Sequence, residues 1–558
     1  MERHSHVIEM ASEIGGRYRP AGINRISNLT NTEVHMIKQT EEAICPDLPV
    51  IPEYTVTITD YGAVGDGVYD NTEAFHQAIE ACVKAGGGKV VIPPGIWHTG
   101  PLTLQSRIEL HASAGALVVF SKQFEAYPIR MSTYEGRQMF RCQSPLDGEG
   151  LEDIAITGSG IFDGSGEAWR PVKQGKLTES QWDRLIHNGG VVDGEGLWWP
   201  TPAARDGKEN LARIEQTGSE DPHDYAPVRD YLRPNLLSFR KCKRILLSGP
   251  TFQNSAAWCL HPWASEQITI QNITVRNPWY AQNGDGLDID SCKYVIVENS
   301  SFDVGDDAIC LKSGKNEAGR LLGKPSERIS IRNCTVYHGH GGIVVGSEMS
   351  GGIKDVYVSD CTFIGTDIGI RFKSCRGRGG VVENILIERI RMRDIDGDAI
   401  SFNLYYEGKA GSGEYQTEVM LPVTEETPIF RNIVIQDIVC SGAHTALLIN
   451  GLPEMPVENL TVKRSTITSQ EGVVCRNGKN LIIQDIVLRN QENQLLLFHQ
   501  SRNVQVANVS GEGGSQDDRL LVVTGERSSQ IECSRLKADK ARQIMISSEV
   551  EPEEVVIK

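Results

Sequence analysis

Four short clusters of polar residues recur between Asn283 and Lys373 of this 558-residue chain. In chain order they are Asn283-Gly284-Asp285, Gly305-Asp306-Asp307, Gly339-His340-Gly341 and Arg371-Phe372-Lys373. Carboxylates held close together cannot all ionise freely near neutral pH, so one of them becomes a proton donor. A protonated acid beside an ionised carboxylate is the pair that cleavage of a glycosidic bond requires.

The last cluster is cationic. Arg371 and Lys373 alternate to the same face of a strand, and Arg376 and Arg378 follow closely. This local positive charge contrasts with a formal net charge of -17 for the whole chain. A planar guanidinium beside an ammonium group suits a carboxylate, so the cluster indicates a uronic acid as substrate.

Composition argues against several classes of partner. The acidic balance argues against nucleic acid or an anionic membrane surface. Apolar runs fall short of the roughly 18 residues of a spanning helix, and Met1–His6 leads into no apolar signal core. The 13 cysteines lack CxxC spacing, which indicates reduced, buried thiols. We therefore expect a soluble, cytoplasmic protein without metal or cofactor.

Short strands with alternating apolar residues recur at spacings of 21 to 34 residues, with one of 48. They begin at Ile245, Ile268, Val295, Ile329, Val356, Ile385, Ile433, Leu460, Leu481 and Val504. Such a period is typical of an all-β, right-handed parallel β-helix, whose coils stack about 4.8 Å apart. Leucine-rich repeats are the competing solenoid, but β-branched residues dominate here and the Leu-x-x-Leu-x-Leu signature is absent.

Changes in this pattern predict a division of the chain into segments. An apolar stripe from Ala74 to Val83 predicts a helix over 71–85 that caps the amino-terminal end of the solenoid. A polar, tryptophan-rich insertion is either a flap on the solenoid wall or a lid at one end of a groove. The segments are an extension (1–50), the cap with the first coils (51–150), the insertion (151–243), the catalytic coils (244–545) and a tail (546–558).

The polar clusters fall at matching positions of the repeat. Asp306 and His340 each lie 11 residues after the start of a strand, and Asp285 precedes Asp306 by 21 residues. Stacking then predicts a column of Asp285, Asp306 and His340, with neighbours about 4.8 Å apart. Asp307 would face away from Asp306 in a regular strand, but a turn at Gly305 would bring both into the cleft.

Each cluster alone has a simpler interpretation. An Asp-Asp pair is commonly a solvated turn, and the stretch Gly284–Asp288 could be a calcium-binding turn. His340 could be an ordinary turn residue, and Arg371 and Lys373 an ordinary charged face. The conjunction of all four clusters, in register with a repeat, favours a site.

At these residues the chain resembles glycoside hydrolase family 28, the polygalacturonases. The four motifs of that family, Asn-Thr-Asp, Gly-Asp-Asp, Gly-His-Gly and Arg-Ile-Lys, occur in order, with Gly284 replacing Thr and Phe372 replacing Ile. The stretch Asp60–Gly67 resembles the opening of the pectate-lyase superfamily β-helices. The resemblance thus extends from Tyr54 to about Val506.

The resemblance implies roles for the acidic clusters and His340. Asp306 would be the general acid, while Asp285 and Asp307 would activate the attacking water, with inversion at the anomeric carbon. His340 would support protonation of the acid.

It also implies a substrate and the residues that bind it. Arg371 and Lys373 would hold the carboxylate of a galacturonic-acid oligosaccharide or pectin fragment. Tyr405, or alternatively Tyr406, would be a further substrate-binding residue. The stretches Gly305–Gly314, Gly346–Gly352 and Arg376–Gly380 resemble the bacterial exo-acting branch, and the insertion could block one end of the groove. We therefore expect an exo-α-1,4-galacturonidase, monomeric or weakly oligomeric.

Other functions stay open at this point. A rhamnogalacturonan galacturonohydrolase would hold the same terminal sugar, and an endo-polygalacturonase would use the same clusters. A pectate lyase on the same fold would eliminate rather than hydrolyse, typically with calcium. A non-catalytic pectin-binding solenoid would bind oligogalacturonide without releasing sugar.

Overall fold

The computed structural model describes residues 6–8, 44–406, 419–490, 494–513, 519–539 and 543–558. The chain divides into an amino-terminal unit, Ile44–Val344, and a carboxy-terminal unit, Val345–Lys558 together with Met1–Ala43. The predicted extension, 1–50, lies largely outside the described residues. The other predicted segment boundaries stay predictions.

Successive coils of the amino-terminal unit contribute parallel strands to three columns. The first column contains Leu102–Thr103, Leu146–Glu149, Leu237–Arg240, Leu260–Trp263, Leu287–Asp290 and Asp307–Lys312, and Gly341–Gly346 follows at the unit boundary. The second contains Thr55–Thr57, Gly88–Ile92, Ile108–Ala112, Glu152–Gly158, Lys243–Ser248, Glu266–Gln271, Lys293–Glu298 and Ser326–Arg332. The third contains Asp66–Asp70, Gly95–Thr99, Ala116–Phe120, Ile161–Asp163, Thr251–Gln253, Thr274–Arg276, Ser301–Asp303 and Thr335–Tyr337.

The core forms because alternate residues of each strand point inward and stack on their counterparts in the next coil. Ile268, Val295 and Ile329 are paired in register across three strands, and each is fully buried. Branched aliphatic side chains suit such a pleated, closely stacked interior. The predicted fold, a right-handed parallel β-helix, is confirmed.

The predicted helix forms over Thr72–Lys84. Its buried face, which includes Phe75 and Ile79, packs on the strands Thr55–Thr57 and Gly88–Ile92. That this helix caps the solenoid stays a prediction. Across the part of the chain that the structure describes, no helix is long and apolar enough to cross a membrane.

Much of the predicted insertion lies outside the coils. Its first strands, Glu152–Gly158 and Ile161–Asp163, belong to the columns, whereas residues 164–236, which we term the inserted segment, do not. Its elements are the helices Glu179–His187 and Pro202–Thr217, the 3-10 helices Gly166–Ala168, Gln174–Lys176 and Pro222–Tyr231, and a small antiparallel sheet of Val172–Lys173, Leu197–Trp199 and Val191–Val192.

A second departure from the coils is an antiparallel hairpin of Ile129–Tyr134 and Arg137–Cys142. Aromatic and aliphatic side chains join it to the inserted segment in one buried cluster, which includes Tyr134, Phe140, Trp169, Tyr225 and Trp258. The hairpin is thereby anchored on one side by the inserted segment. The remaining helical elements of this unit are Ile58–Tyr61, Phe124–Ala126 and Asn316–Leu322.

The carboxy-terminal unit is also built of parallel strands paired from coil to coil. Its first column contains Ile370–Lys373, Asp398–Asn403, Thr445–Asn450, Glu471–Arg476, Gln494–His499, Arg519–Thr524 and Gln543–Ile546, and His6–Ile8 pairs antiparallel with the last of these. Its other strands are Ile353–Ser359, Thr362–Ile364, Val381–Glu388, Arg391–Arg393, Ile429–Gln436, Val439–Ser441, Val457–Ser469, Gly478–Asn490, Arg502–Glu512, Ser529–Ser534, Lys537–Ala538 and Val555–Ile557, and Pro552–Glu554 is a 3-10 turn.

A ladder of asparagines explains why this residue recurs at the strand starts of the carboxy-terminal unit. Asn432, Asn459, Asn480 and Asn503 all have φ of 54° or 55°. Each of the last three donates its side-chain amide to the carbonyl of the one before, at 2.8, 2.9 and 2.7 Å. Asparagine is suited to this position because it tolerates the left-handed conformation and supplies both donor and acceptor.

Candidate active site

Asp285 and Asp307 lie side by side where two neighbouring strands begin, Asp285 just before Leu287–Asp290 and Asp307 as the first residue of Asp307–Lys312. Leu287 pairs with Ile309, and the Gly286 amide donates to the Asp307 carbonyl at 2.9 Å, which puts the two aspartates in register. The predicted column had placed Asp306, one residue earlier, opposite Asp285. That prediction was wrong by one position.

Asp306 nevertheless joins the same group. Its carboxylate accepts the Asp307 amide at 3.0 Å, and one oxygen from each of Asp285, Asp306 and Asp307 lies within 4.8 Å of the others. Glycine at 305 allows the chain to pack closely here, because a Cβ at that position would lie 2.4 Å from the Pro278 carbonyl oxygen. The structure thus brings the three predicted carboxylates together.

His340 lies against Asp306. Its amide donates to the Asp306 carbonyl at 2.9 Å, and its Nδ1 is 3.0 Å from the Asp306 carboxylate. The imidazole side chain is 37% exposed and the Asp306 side chain 22%. His340 is therefore placed to orient the Asp306 carboxyl group, and both groups are accessible from solvent.

The other two carboxylates are buried, Asp285 being 3% exposed and Asp307 1%. Burial raises the pKa of Asp285 well above its usual value, and the nearby Asp306 and Asp288 carboxylates raise it further. Asp285 Oδ1 also has no hydrogen-bond partner within the described residues. The group is therefore suited to holding a proton. Three carboxylates this close could also hold a divalent cation; the absence of a metal stays a prediction.

Two buried pairs that sequence reasoning missed flank the carboxylates. Lys312 Nζ lies 3.5 Å from Asp288 Oδ1 and 4.7 Å from the Trp258 ring centroid. His261 Nε2 lies 3.5 Å from Asp290 Oδ2. The sequence did contain a signal for these pairs. Both outward residues of the Leu287–Asp290 strand are acidic, and buried acidic side chains need cationic partners.

The hairpin lies across the outer face of the first column, on the amino-terminal side of the carboxylates. Arg130 reaches Asp147 at 3.7 Å at one end, and Glu135 at the tip reaches Lys315 at 3.5 Å. A Cβ at Gly136 would lie 2.2 Å from the Lys315 backbone nitrogen, so only glycine allows this approach.

Burial of the underlying residues shows how completely this face is covered. Outward-facing side chains on the three strands that precede Asp306 are Arg240, at 6% exposure, and His261, Asp288 and Asp290, each at 0%. An open groove would leave such residues accessible. This side of the carboxylates is therefore closed.

The cationic cluster belongs to the carboxy-terminal unit. The Ile370–Lys373 strand brings Arg371 and Lys373 to the ring of Tyr406, with Arg371 Cζ 5.4 Å and Lys373 Nζ 4.7 Å from its centroid. Tyr405 instead faces Arg376, at 5.7 Å. Tyr406 is thus the tyrosine that contacts both cations, and a substrate-binding role for Tyr405 stays a prediction.

Comparisons with known proteins agree with these motifs. Residues 177–482 match the model of glycosyl hydrolases family 28, and residues 55–139 match a model described as rhamnogalacturonase A/epimerase, pectate lyase-like. The chain is 28% identical over 427 residues to a probable polygalacturonase of Vitis vinifera, covering 74% of each protein. It is 27% identical over 404 residues to an exo-poly-alpha-D-galacturonosidase of Dickeya chrysanthemi, covering 71% of this chain and 64% of that protein.

A solved structure shares both sequence and fold. The exopolygalacturonase from Thermotoga maritima is 30% identical and superposes with a TM-score of 0.68, covering 80% of this chain and 96% of that chain. The family 28 exopolygalacturonase of Yersinia enterocolitica, at 21% identity and a TM-score of 0.60, shares the fold. Because the family model matches more than half of the chain, this protein belongs to glycosyl hydrolases family 28.

Proposed function

We propose that this protein is an exo-acting galacturonidase, which releases the terminal sugar from α-1,4-linked oligogalacturonides or pectin fragments. The closed amino-terminal side of the carboxylate group carries this proposal. A polymer cannot thread through a groove that the hairpin blocks and whose floor residues His261, Asp288 and Asp290 are fully buried. The printed names of the Dickeya and Thermotoga relatives support the same mode of action.

Asp306 is the general acid in this proposal. Of the three carboxylates it is the accessible one, and His340 holds it in place, so a leaving glycosidic oxygen can approach it. Asp285 and Asp307, side by side, accept hydrogen bonds from the attacking water. Burial and neighbouring carboxylates raise the pKa of Asp285, so this residue can hold a proton within 4.8 Å of the Asp306 carboxylate and share it with the general acid.

Attack by water inverts the anomeric carbon. The oxygens of the three carboxylates are closer than the roughly 6.5–9.5 Å that separates most inverting pairs. We therefore assign inversion to Asp285 and Asp307, which lie side by side and can bind one water between them. Proton NMR of the first product tests it: β-galacturonic acid should appear first, whereas the α-anomer would indicate a covalent intermediate.

Arg371 and Lys373 bind the sugar carboxylate, and Tyr406 contributes an aromatic face beside them. Tyr406 is 40% exposed, so a ligand can reach its ring. Oligogalacturonides whose carboxylates have been reduced to alcohols should be poor substrates. Equal activity on these neutral sugars would contradict the substrate class.

A time course of products from tri- and tetragalacturonic acid tests the proposal as a whole. Monomer from the first time point, without the ultraviolet absorbance of an unsaturated product, supports exo hydrolysis. Mixed oligomers would mean endo action. Release only from rhamnogalacturonan fragments would identify that backbone as the substrate instead.

A lyase is the second candidate, because the three carboxylates could hold the calcium that such enzymes use. Rising ultraviolet absorbance of the product, together with loss of activity in a chelator, would favour elimination. We expect neither.

A further inference from the structure

Two adjoining cavities lie between the inserted segment and the loop 277–284, which leads to Asp285. Their volumes are about 220 and 490 Å³. None of the residues that line them belongs to the carboxylate group or to the cationic cluster. Their walls share Glu167, Arg170 and Tyr280, with Arg184 and Trp198 in the smaller cavity and Arg276 in the larger.

Among the described residues, the arginines in these walls contact no carboxylate directly. Arg170, Arg184 and Arg276 form no ion pair within the described residues. Arg170 is 1% exposed, and its guanidinium donates to the Ser255 carbonyl and, at 2.8 Å, to Asn254, but its Nε has no hydrogen-bond partner there. Burial lowers the pKa of Arg170 to about 10, so the group is still charged at neutral pH.

The acidic residues in the same walls already have partners. Glu167 pairs with Lys122 at 2.6 Å, and Asp303 lies 2.9 Å from His338. Asp163 accepts from the Gln253 side chain at 2.7 Å. The smaller cavity therefore keeps a positive character from Arg170 and Arg184, whereas the larger, which Asp163, Glu167 and Asp303 also line, does not.

Aromatic rings complete the smaller cavity. Trp198 is held by a hydrogen bond from its Nε1 to the Gly189 carbonyl at 2.9 Å, and it packs in one cluster with Tyr280. Aromatic faces bind the apolar face of a sugar ring, and guanidinium groups bind its carboxylate. We propose that the smaller cavity forms a second binding site, which takes a uronate unit of an oligosaccharide. This inference rests on the proposed function for the identity of the sugar.

Hydrogen bonds connect this site to the carboxylate group. Arg170 donates to the carbonyl of Ser255, whose amide donates to Asn277 Oδ1 at 2.9 Å. The Asn277 side-chain amide in turn donates to the carbonyls of Gly284 and Asp285, at 3.0 and 3.3 Å. A ligand that fixes Arg170 would therefore restrain the backbone at Asp285.

Calorimetric titration of trigalacturonate into the Asp306→Asn enzyme tests the proposal, because that variant binds sugar without consuming it. We expect two binding sites per chain. Replacing Arg184 of the smaller cavity in the same background, Arg184→Gln, should reduce this number to one. Arg213→Gln is the matched control, since Arg213 is an exposed arginine on the Pro202–Thr217 helix that lines neither cavity.

The outcomes separate the two proposals. One site per chain before Arg184 is replaced, or two sites that persist afterwards, would overturn the second site. Two sites for the carboxyl-reduced trisaccharide would overturn its uronate specificity. If the unsubstituted enzyme also releases no galacturonate, the proposed function fails, whatever the titration shows.

Discussion

Asp285 shows how the surroundings of one residue decide its chemistry. An aspartate on the surface would be ionised at neutral pH, but burial and neighbouring carboxylates raise the pKa of this one well above its usual value. Lys312 lowers the pKa of Asp285, whereas Asp288 raises it. Asp288 and Lys312 are themselves paired. The proton of the carboxylate group is thus sensitive to charges that never touch substrate.

Replacement of the general acid should abolish turnover. We expect Asp306→Asn to lower kcat by about 10² to 10⁴-fold or more, because an amide cannot donate the proton. Thermal unfolding should be unchanged, and Asp437→Asn, at a partly exposed aspartate that pairs with Arg464 away from the carboxylate group, should keep full activity. Near-normal turnover by Asp306→Asn would refute the assignment.

Replacement of Asp288 and replacement of Lys312 should shift the pH dependence of kcat/KM in opposite directions. The alkaline limb of kcat/KM reports loss of the shared proton from the free enzyme. Because Asp288 raises the pKa of Asp285, Asp288→Asn should move this limb to lower pH. Because Lys312 lowers it, Lys312→Met should move the limb to higher pH.

The double variant is the control for this pair. Each single change breaks a buried ion pair, at a cost of about 3–5 kcal/mol in the free energy of unfolding, so thermal unfolding must be measured first. Asp288→Asn with Lys312→Met restores the charge balance and should return the limb towards its original position. Shifts of the same sign for both single variants would contradict the electrostatic explanation.

Sequence reasoning found the residues of the carboxylate group but not its geometry. The aspartates and His340 stood out because short polar clusters recur in register with the repeat. The one-position error at Asp306 arose because the number of residues per coil varies, so equal spacing does not mean equal register. Lys312 and Asp288 were missed since a buried ion pair has no sequence motif of its own.

At the scale of elements, the hairpin 129–142 sets the boundary of the groove. It closes the amino-terminal side because its tip packs against Gly314 and Lys315, and the inserted segment supports it from behind. Periodicity could not predict this, since neither the hairpin nor the inserted segment follows the coil repeat. The coils themselves were predictable because each repeats the same inward apolar positions.

Displacing the hairpin tip should open the groove. Gly136 has φ of 71°, and a Cβ there would meet the backbone of Lys315, so Gly136→Ala must shift the tip. We expect mixed oligomers to appear among the products of tetragalacturonate. Gly194→Ala is the control, because a Cβ at that glycine meets no atom within 4 Å. Faster proteolysis of the hairpin would show that its tip had moved. If monomer were then still the sole early product, the hairpin would not be the element that closes the groove.

The asparagine ladder should contribute to stability through its shared hydrogen bonds. Asn480 both donates to Asn459 and accepts from Asn503. Asn480→Ala should lower the free energy of unfolding by about 1–3 kcal/mol in denaturant titrations, since it loses both bonds and strains a left-handed position. Asn480→Gly removes the same hydrogen bonds without the strain, so it measures the contribution of the bonds alone. If its free energy of unfolding equals that of the unsubstituted protein, the ladder does not contribute to stability.

At the scale of the whole molecule, family, fold and motifs agree. The predicted β-helix and the family both proved correct, because the repeat spans many coils and the four motifs are specific in combination. Oligomeric state, cellular location and the absence of a metal stay predictions. A chain of net charge -17 that binds an acidic polymer must concentrate its positive charge locally. Arg371, Lys373 and the arginines of the second site provide that concentration.

The blocked groove has a consequence for the bulk behaviour of a pectin solution. An enzyme that admits only chain ends works at a rate set by the number of molecules, not by the number of linkages. Long polymers should therefore be degraded slowly for their mass. Their solutions should keep most of their viscosity while free sugar accumulates, until other enzymes supply new ends by cutting within the chain.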